Sequence, residues 1–326
     1  MKWLRRLFYL IVVLVLIGAP AYYWLIVESH IPSEGSYAIE LGEVRRLAGD
    51  TYYRTYYGPS EIRVETVANF SFPKTAVVAG DGWDPTDMPV SSYQLVYGSG
   101  SSYGNNPDYT ANPTWANKTA IIDTALDEAT GREAGVTTFD TESYRRMSVG
   151  LSGASLVVIT HEHMDHIGGL VAQGDLPERL RFVRLTREQI NHPERMSPVK
   201  WPKGALTGYK PLEYNRYTPI APGVVLIKAR GHSPGSQMVY VRLNDGREIL
   251  FLGDVAWHRR NIDIQRQRAR LVSWLFLSEE RDTVMLQLVE LKRLSTKEPN
   301  LNIMPGHDSE ALNQFLSAGL LVRGFK

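Results

Sequence analysis

The chain opens on its longest apolar run. Lys2, Arg5 and Arg6 precede an uninterrupted apolar stretch from Leu7 to Val27, and Glu28 and Glu34 follow it. A run of about 20 residues is the length a helix needs to cross a bilayer. The basic flank predicts that the amino end stays in the cytoplasm and the bulk of the chain lies outside it, on the periplasmic side in a Gram-negative cell. Two readings compete. Ala19-Pro20-Ala21 resembles a signal-peptidase site, which predicts secretion after cleavage near Ala21. Tyr22-Tyr23-Trp24-Leu25-Ile26-Val27 instead continues the run and adds interfacial aromatics, which favours an uncleaved single-pass anchor. Residues 1–30 are therefore read as an anchor or signal segment, 31–36 as a Pro/Gly/Ser linker and 37–326 as one following domain.

Beyond the linker the pattern predicts a helix over Tyr37–Ala48, then strands over Ile62–Phe72, Thr75–Ala79, Tyr93–Tyr97 and Thr119–Thr124. Gly98 to Asn117, rich in Gly, Ser, Asn and Pro, reads as a long loop bearing Tyr103, Tyr109 and Trp115. From Thr141 the pattern alternates. Thr141–Ser152 reads as a helix, and Leu156–Thr160, Val224–Ala229, Met238–Leu243 and Ile249–Leu252 read as strands. Arg259 to Leu294 reads as mostly helical, Leu301–Met304 as a last short strand and Glu310–Leu321 as a last helix. Mixed strand and helix of this kind predicts an α/β domain.

Composition narrows this only at the margins. A chain of 326 residues with 43% hydrophobic content builds one large domain or two modest ones. A net charge of +1 implies no bulk attraction to nucleic acid. The absence of cysteine excludes disulfides, thiolate nucleophiles and Cys-based zinc sites.

The chemistry concentrates in Thr160–Leu170, which reads Thr-His-Glu-His-Met-Asp-His-Ile-Gly-Gly-Leu. His161, His163, Asp165 and His166 fall within six positions of a chain that has eight histidines. Imidazole and carboxylate are the ligands zinc and similar metals take when thiolate is absent. Residues two apart in an extended segment point the same way, so His161 and His163 can grip one metal while Asp165 and His166 face a neighbouring one. Glu162, between them, should point away. Gly168 and Gly169 are read as allowing a sharp turn into the next helix.

Three more candidates sit just past apolar strands: His232 after Val224–Ala229, Asp254 after Ile249–Leu252 and His307 after Leu301–Met304. His161 follows Leu156–Thr160 in the same way. Sites in open α/β sheets form at the carboxyl ends of strands, so these groups should converge. The bland alternative for each of the three taken singly is an ordinary turn residue. Of the other histidines, His30 and His192 read as ordinary surface residues, whereas His258, near Asp254, is a candidate for supporting a ligand or moving a proton.

His161-x-His163-x-Asp165-His166, with His232, Asp254 and His307 following in order, resembles the metallo-β-lactamase-fold hydrolases, and Ile121-Ile122-Asp123-Thr124 resembles that family's strand-plus-Asp-Thr element. The resemblance covers roughly Tyr93 to the end. It implies a four-layer αββα sandwich preceded by one amino-terminal transmembrane helix, with two divalent metals, zinc being expected, at one edge of the sheets. It implies His161, His163 and His232 on the first metal, Asp165, His166 and His307 on the second, and Asp254 bridging them. Asp254 and Asp165 are then the catalytic carboxylates, Asp165 as proton handler for a hydroxide held between the metals.

Departures from the family pattern guide the substrate. The zinc β-lactamases with a Cys ligand are excluded by composition, and those without a bridging Asp are disfavoured by Asp254. Gly231-His232-Ser233-Pro234-Gly235 and Met304-Pro305-Gly306-His307-Asp308 resemble the lactonase-like branch. Many lactonases carry a Tyr three residues after the bridging Asp. Trp257 stands there, and an indole donates one hydrogen bond but cannot titrate. The expected substrate is a small carboxylic ester, lactone or thioester outside the cytoplasm. The alternative is a phosphodiester or phosphotriester, kept open by Arg259 and Arg260. A non-catalytic metal-binding scaffold is the third reading. Trp201, Tyr209, Tyr214 and Tyr217, and the stretch Trp274-Leu275-Phe276-Leu277, read either as core packing or as an apolar acyl-binding wall or lid.

Overall fold

The computed structural model describes residues 2–49, 58–98 and 115–326. Most of the long Gly98–Asn117 segment, with Tyr103 and Tyr109, lies outside the described residues. Trp115 lies within them and packs against Tyr97 with ring centroids 4.7 Å apart.

Twelve strands are present among the described residues: β1 (Glu61–Pro73), β2 (Pro85–Val96), β3 (Thr119–Ile122), β4 (Thr138–Phe139), β5 (Leu156–Val158), β6 (Val183–Arg184), β7 (Tyr217–Ala221), β8 (Val224–Lys228), β9 (Gln237–Arg242), β10 (Glu248–Phe251), β11 (Leu301–Met304) and β12 (Val322–Arg323). They form two sheets. The first runs β12-β1-β2-β3-β5-β6 with β4 added beside β1, and the second runs β11-β10-β9-β8-β7.

Side-chain alternation shows why the sheets stack. On β8, Val224 and Leu226 join Ile62, Val64, Tyr93 and Leu95 in a core between the sheets, where Tyr93 and Phe251 rings lie 4.7 Å apart. Val225 and Ile227 point the other way, onto Val44 of the helix Leu41–Gly49 and onto Met285, Leu288 and Leu291 of the helix Arg281–Lys297. The outer face of the first sheet, with Ile121 and Val157, packs on Met147 and Leu151 of the helix Thr141–Gly153 and on Ile167 and Leu170 of the helix Met164–Val171. A strand buried on both faces reads as a continuous apolar run, as β5, β8 and β10 do. The result is four layers, αββα.

Several elements differ from the sequence expectation. Thr75–Ala79 is not a strand. Residues Lys74–Val77 form one helical turn, because β1 and β2 pair antiparallel from Glu61 opposite Val96 to Pro73 opposite Pro85 and the chain must reverse between them. β2 extends well before Tyr93, an extension masked in the pattern by Pro85 and Pro89. β7, which contains Pro219, is tolerated because it is an edge strand. The helical region after Arg259 is broken where Gln265 and Ser278 adopt left-handed backbone. Gly168 and Gly169 lie inside the helix Met164–Val171 rather than at a turn. Their role is close packing, since a Cβ on Gly169 would sit 1.9 Å from the Thr124 carbonyl oxygen.

The amino-terminal helix spans Lys2–Tyr22 and continues as a wider turn over Tyr23–Val27. Trp3–Val27 is long and apolar enough to cross a membrane, a test that an anchor and a signal sequence both pass. Its foot touches the body: the Gly80 amide donates to the Ile26 carbonyl at 3.0 Å, and Arg266 donates to the Val27 carbonyl at 2.7 Å.

Candidate metal centre

The seven candidate residues arrive from four strand tips. β5 runs out through Thr160 to His161 and His163, after which Asp165 and His166 occupy the first turn of the helix Met164–Val171. His232 follows β8, Asp254 follows β10 and His307 follows β11. β10 and β11 are parallel neighbours, which brings their tips together. The Asp254 turn needs Gly253, whose φ is +51° and where a Cβ would lie 2.7 Å from the Thr160 side chain.

All seven converge. His161, His163, His232 and Asp254 present ligand atoms within 4.8 Å of one another, and so do Asp165, His166 and His307. His163 points Nδ1 inward, 3.0 Å from Nε2 of both His161 and His232. Asp254 lies between the two groups. Its Oδ2 is 3.4 Å from His232 Nε2 and 3.8 Å from His161 Nε2. Its Oδ1 is 3.2 Å from His166 Nε2 and 3.1 Å from His307 Nε2. Asp165 Oδ2 is 3.5 Å from His307 Nε2.

An outer ring of acceptors fixes the imidazoles. Nδ1 of His166 is 2.8 Å from Asp123, Nδ1 of His232 is 2.7 Å from Glu279, and Nδ1 of His307 is 2.9 Å from the Pro89 carbonyl. Each acceptor holds the proton on Nδ1 and leaves the Nε2 lone pair facing inward. Asp123 is itself left-handed, with φ +57°, and accepts from the Thr160 amide at 2.6 Å and the Thr160 hydroxyl at 2.8 Å. Glu279 is bound by Arg268 at 2.6 Å and by Ser273 at 2.6 Å. Arg268 is fully buried, lies 4.2 Å from the centroid of the Trp257 ring, and donates to the Asp254 backbone carbonyl. Trp257 in turn donates from Nε1 to Asp254 Oδ2 at 2.6 Å.

The electrostatics suit a cation. Burial, reinforced by neighbouring imidazoles, holds His161 and His163 well below the ordinary histidine value, so both offer lone pairs at neutral pH. Burial also disfavours charge on His166 and His307, but Asp254 with Asp123 or Asp165 overrides it and raises both. Burial would raise Asp254, yet His307, His166 and His161 hold it well below the usual range. Its Oδ1 is buried and makes no hydrogen bond despite two imidazoles close by. An orphaned carboxylate oxygen ringed by imidazole nitrogens is what a bound divalent cation satisfies.

The remaining candidates fall outside the cluster. His258 caps the helix Arg259–Asp263, its Nδ1 accepting from the Arg260 amide at 3.1 Å. His30 bonds Glu28 at 2.5 Å and His192 bonds Glu194 at 3.0 Å. Glu162 turns away, as expected, and accepts from Ser233 Oγ at 2.8 Å and the Gly235 amide at 3.1 Å, which clamps the loop carrying His232. Arg259 and Arg260 pair with Asp263 and Asp81. Trp201 and Tyr209 pack on the first sheet's outer core, Tyr214 on the inter-sheet core and Tyr217 on the second sheet's outer core.

A cavity of about 950 Å³ opens over the cluster, with His163, Asp165, Asp254 and His307 at its floor. Its walls are mainly apolar: Phe70, Phe72, Met88, Trp257, Val272, Phe276 and Leu277, with Glu194 and Arg195 as charged members.

The family model of the metallo-beta-lactamase superfamily matches residues 116–307. The chain belongs to the metallo-beta-lactamase superfamily. It is a metal-dependent hydrolase, with a His/Asp cluster suited to divalent metal. Solved structures share the fold. A mutant of AiiA from B. thuringiensis, with N-decanoyl-L-homoserine bound at its active site, is 18% identical with a TM-score of 0.57, over 79% of this chain and 96% of that one. An N-acyl homoserine lactone hydrolase, with N-hexanoyl-L-homoserine at its catalytic metal centre, is 17% identical with a TM-score of 0.55, over 79% and 96%. A probable metal-dependent hydrolase from Staphylococcus aureus is 14% identical with a TM-score of 0.51, over 77% and 90%. No curated protein matches the sequence.

Proposed function

We propose that the chain is a dinuclear hydrolase that holds two zinc ions and cleaves a carboxylic ester, lactone or thioester on the extracytoplasmic side of a membrane. Residues 1–30 anchor it, 31–36 link, and 37–326 form the hydrolase domain. The observation that carries this reading is Asp254: one oxygen faces His161 and His232, the other faces His166 and His307.

His161, His163 and His232 would hold one cation, Asp165, His166 and His307 the other, with Asp254 shared. Such a pair supplies a water acidic enough to react at neutral pH and a Lewis acid for the substrate oxygen. The protein's own groups do the rest. Asp165, partly exposed on the cavity floor, is placed to take and return a proton. Trp257 keeps Asp254 in position through its indole N–H and cannot itself give up a proton at neutral pH. The apolar walls exclude bulk water and suit an acyl chain. An acyl substrate is favoured over a phosphoester because Arg259 and Arg260 pair with acids away from the cavity. The neighbours that carry N-decanoyl-L-homoserine and N-hexanoyl-L-homoserine in their active sites support the same choice.

The test uses the full chain in detergent. Elemental analysis should give about two zinc ions per chain. Lactone, thioester, phosphodiester and phosphotriester substrates should then be screened with and without chelator. Chelator-sensitive cleavage of the acyl substrates is expected. Preference for a phosphoester, or a folded sample that takes up no metal, would overturn the reading.

A further inference from the structure

The foot of the amino-terminal helix and the mouth of the cavity share one short segment. The wide turn Tyr23–Val27 packs on the helical turn Arg270–Val272. Arg270 lies 4.7 Å from the centroid of the Trp24 ring and pairs with Glu28, and the Gln267 amide donates to Ser29 Oγ at 3.1 Å. The point where the apolar helix leaves the body is therefore fixed by residues 266–270.

Directly after Val272 the chain makes the turn Ser273–Leu277. Trp274, Leu275 and Phe276 there are 67%, 58% and 76% exposed. Three consecutive large apolar residues facing outward are not a feature of an ordinary wet surface. The same turn faces inward as well, since Phe276 and Leu277 join Val272 and Phe72 in the cavity wall. Tyr22, Tyr23, Trp24 and Trp83 are exposed around the helix foot, and Trp83 Nε1 donates to the Tyr22 hydroxyl at 3.3 Å. Exposed Tyr and Trp at the end of an apolar helix mark the depth of a bilayer interface.

We propose that the Trp274–Phe276 turn dips into the leaflet that the helix enters, so that the cavity opens at the lipid surface and takes an acyl-bearing amphiphile dissolved in the membrane. This rests on the anchored acyl hydrolase described above and names its substrate class. The acyl chain would enter past Phe276 and Leu277, and the scissile carbonyl would reach the cluster at the cavity floor. Covering the turn with lipid accounts for its exposure, and attachment of the helix at residues 266–270 accounts for its position.

The chain has no cysteine, so a single Leu275→Cys substitution allows one nitroxide to be attached to the full-length, metal-loaded protein in phosphatidylcholine vesicles. A label at Val149→Cys, on the exposed face of the helix Thr141–Gly153, is the aqueous control. The Leu275 label should relax with lipid-soluble oxygen and escape water-soluble chromium oxalate, with the control showing the reverse. A Leu275 label as open to chromium oxalate as the control would overturn the proposal. In parallel, a Trp274→Ser/Leu275→Ser variant, altered only outside the cavity wall, should lose roughly tenfold in kcat/KM on vesicle-dissolved N-decanoyl-homoserine lactone. Its rate on the water-soluble N-butanoyl analogue should stay unchanged. Equal loss on both substrates, or loss on neither, would overturn it. A lipid-buried label in a protein that cleaves no acyl substrate would refute the acyl hydrolase and leave the membrane seating in place.

Discussion

Trp257 donates its indole N–H to Oδ2 of Asp254 at 2.6 Å. That oxygen is the one facing His161 and His232, so the donor fixes the carboxylate that lies between the two ligand groups. The guanidinium of Arg268 lies over the same indole and draws the ring into a chain that runs on to Glu279 and His232.

Trp257→Phe keeps an aromatic ring and removes only the donor. Groups that orient metal ligands typically contribute about 10–100-fold to metal affinity or activity. Zinc affinity, measured by competition with a chelating dye, should therefore fall by about tenfold, and kcat/KM should fall alongside it. An unchanged affinity would mean that Asp254 is held by its neighbours alone.

Glu279 is the larger risk to stability. Burial would raise its carboxyl, but the Arg268 charge and the bonds from His232 and Ser273 hold it at about 2, against an ordinary 4.5. A folded value below the unfolded one means the stabilisation is complete above pH 4.5 and is lost as pH falls from about 4.5 to about 2. Glu279→Gln removes that charge and strands the buried Arg268, a change that costs about 3–5 kcal/mol when an ion pair loses one member. Urea unfolding of the detergent-solubilised full chain, with chelator present, should show this gap at pH 7. The gap should narrow steadily below pH 4.5.

Much of this centre was legible because strand tips announce themselves. His161, His232, Asp254 and His307 each follow a short apolar run, and β5, β8, β10 and β11 are found there. Asp123 obeys the same rule at the end of β3, and applying it there would have found the partner of His166. Glu279 and Arg268 gave no such signal. They sit in a broken helical region, and an acid that reaches a histidine 47 positions away leaves no periodicity to read. Pro89 was hidden for another reason: it acts through its backbone carbonyl, which every residue has. Thr75–Ala79 misled because local β propensity was overruled by the need to reverse the chain between β1 and β2.

Gly169 offers a packing test away from the chemistry. A Cβ there would meet the Thr124 carbonyl at 1.9 Å and the Met147 methyl at 2.9 Å. The helix bearing Asp165 and His166 would have to move off β3. Gly169→Ala should cost about 1–3 kcal/mol, the usual penalty for overpacking. Gly174→Ala, where a Cβ meets nothing within 4 Å, should not. Thermal unfolding of the two variants side by side separates a steric effect from a general intolerance of alanine.

Metal removal should show how far the seven groups depend on a cation. Asp254 Oδ1 is buried without a hydrogen bond beside His166 and His307, and in the other group His163 presents Nδ1 3.0 Å from Nε2 of both His161 and His232. Such an arrangement is poorly satisfied alone and well satisfied by a ligand that binds only the folded state. Free zinc at a hundred times its dissociation constant stabilises by about 2.7 kcal/mol per site. Chelation should therefore lower the melting temperature of the full chain, and zinc should restore it in proportion to the logarithm of its concentration. Asp254→Asn removes the charge shared by both groups, so its zinc-induced rise should be well under half that of the unaltered protein. A variant that regained the full rise would show that the two groups bind metal without a shared carboxylate.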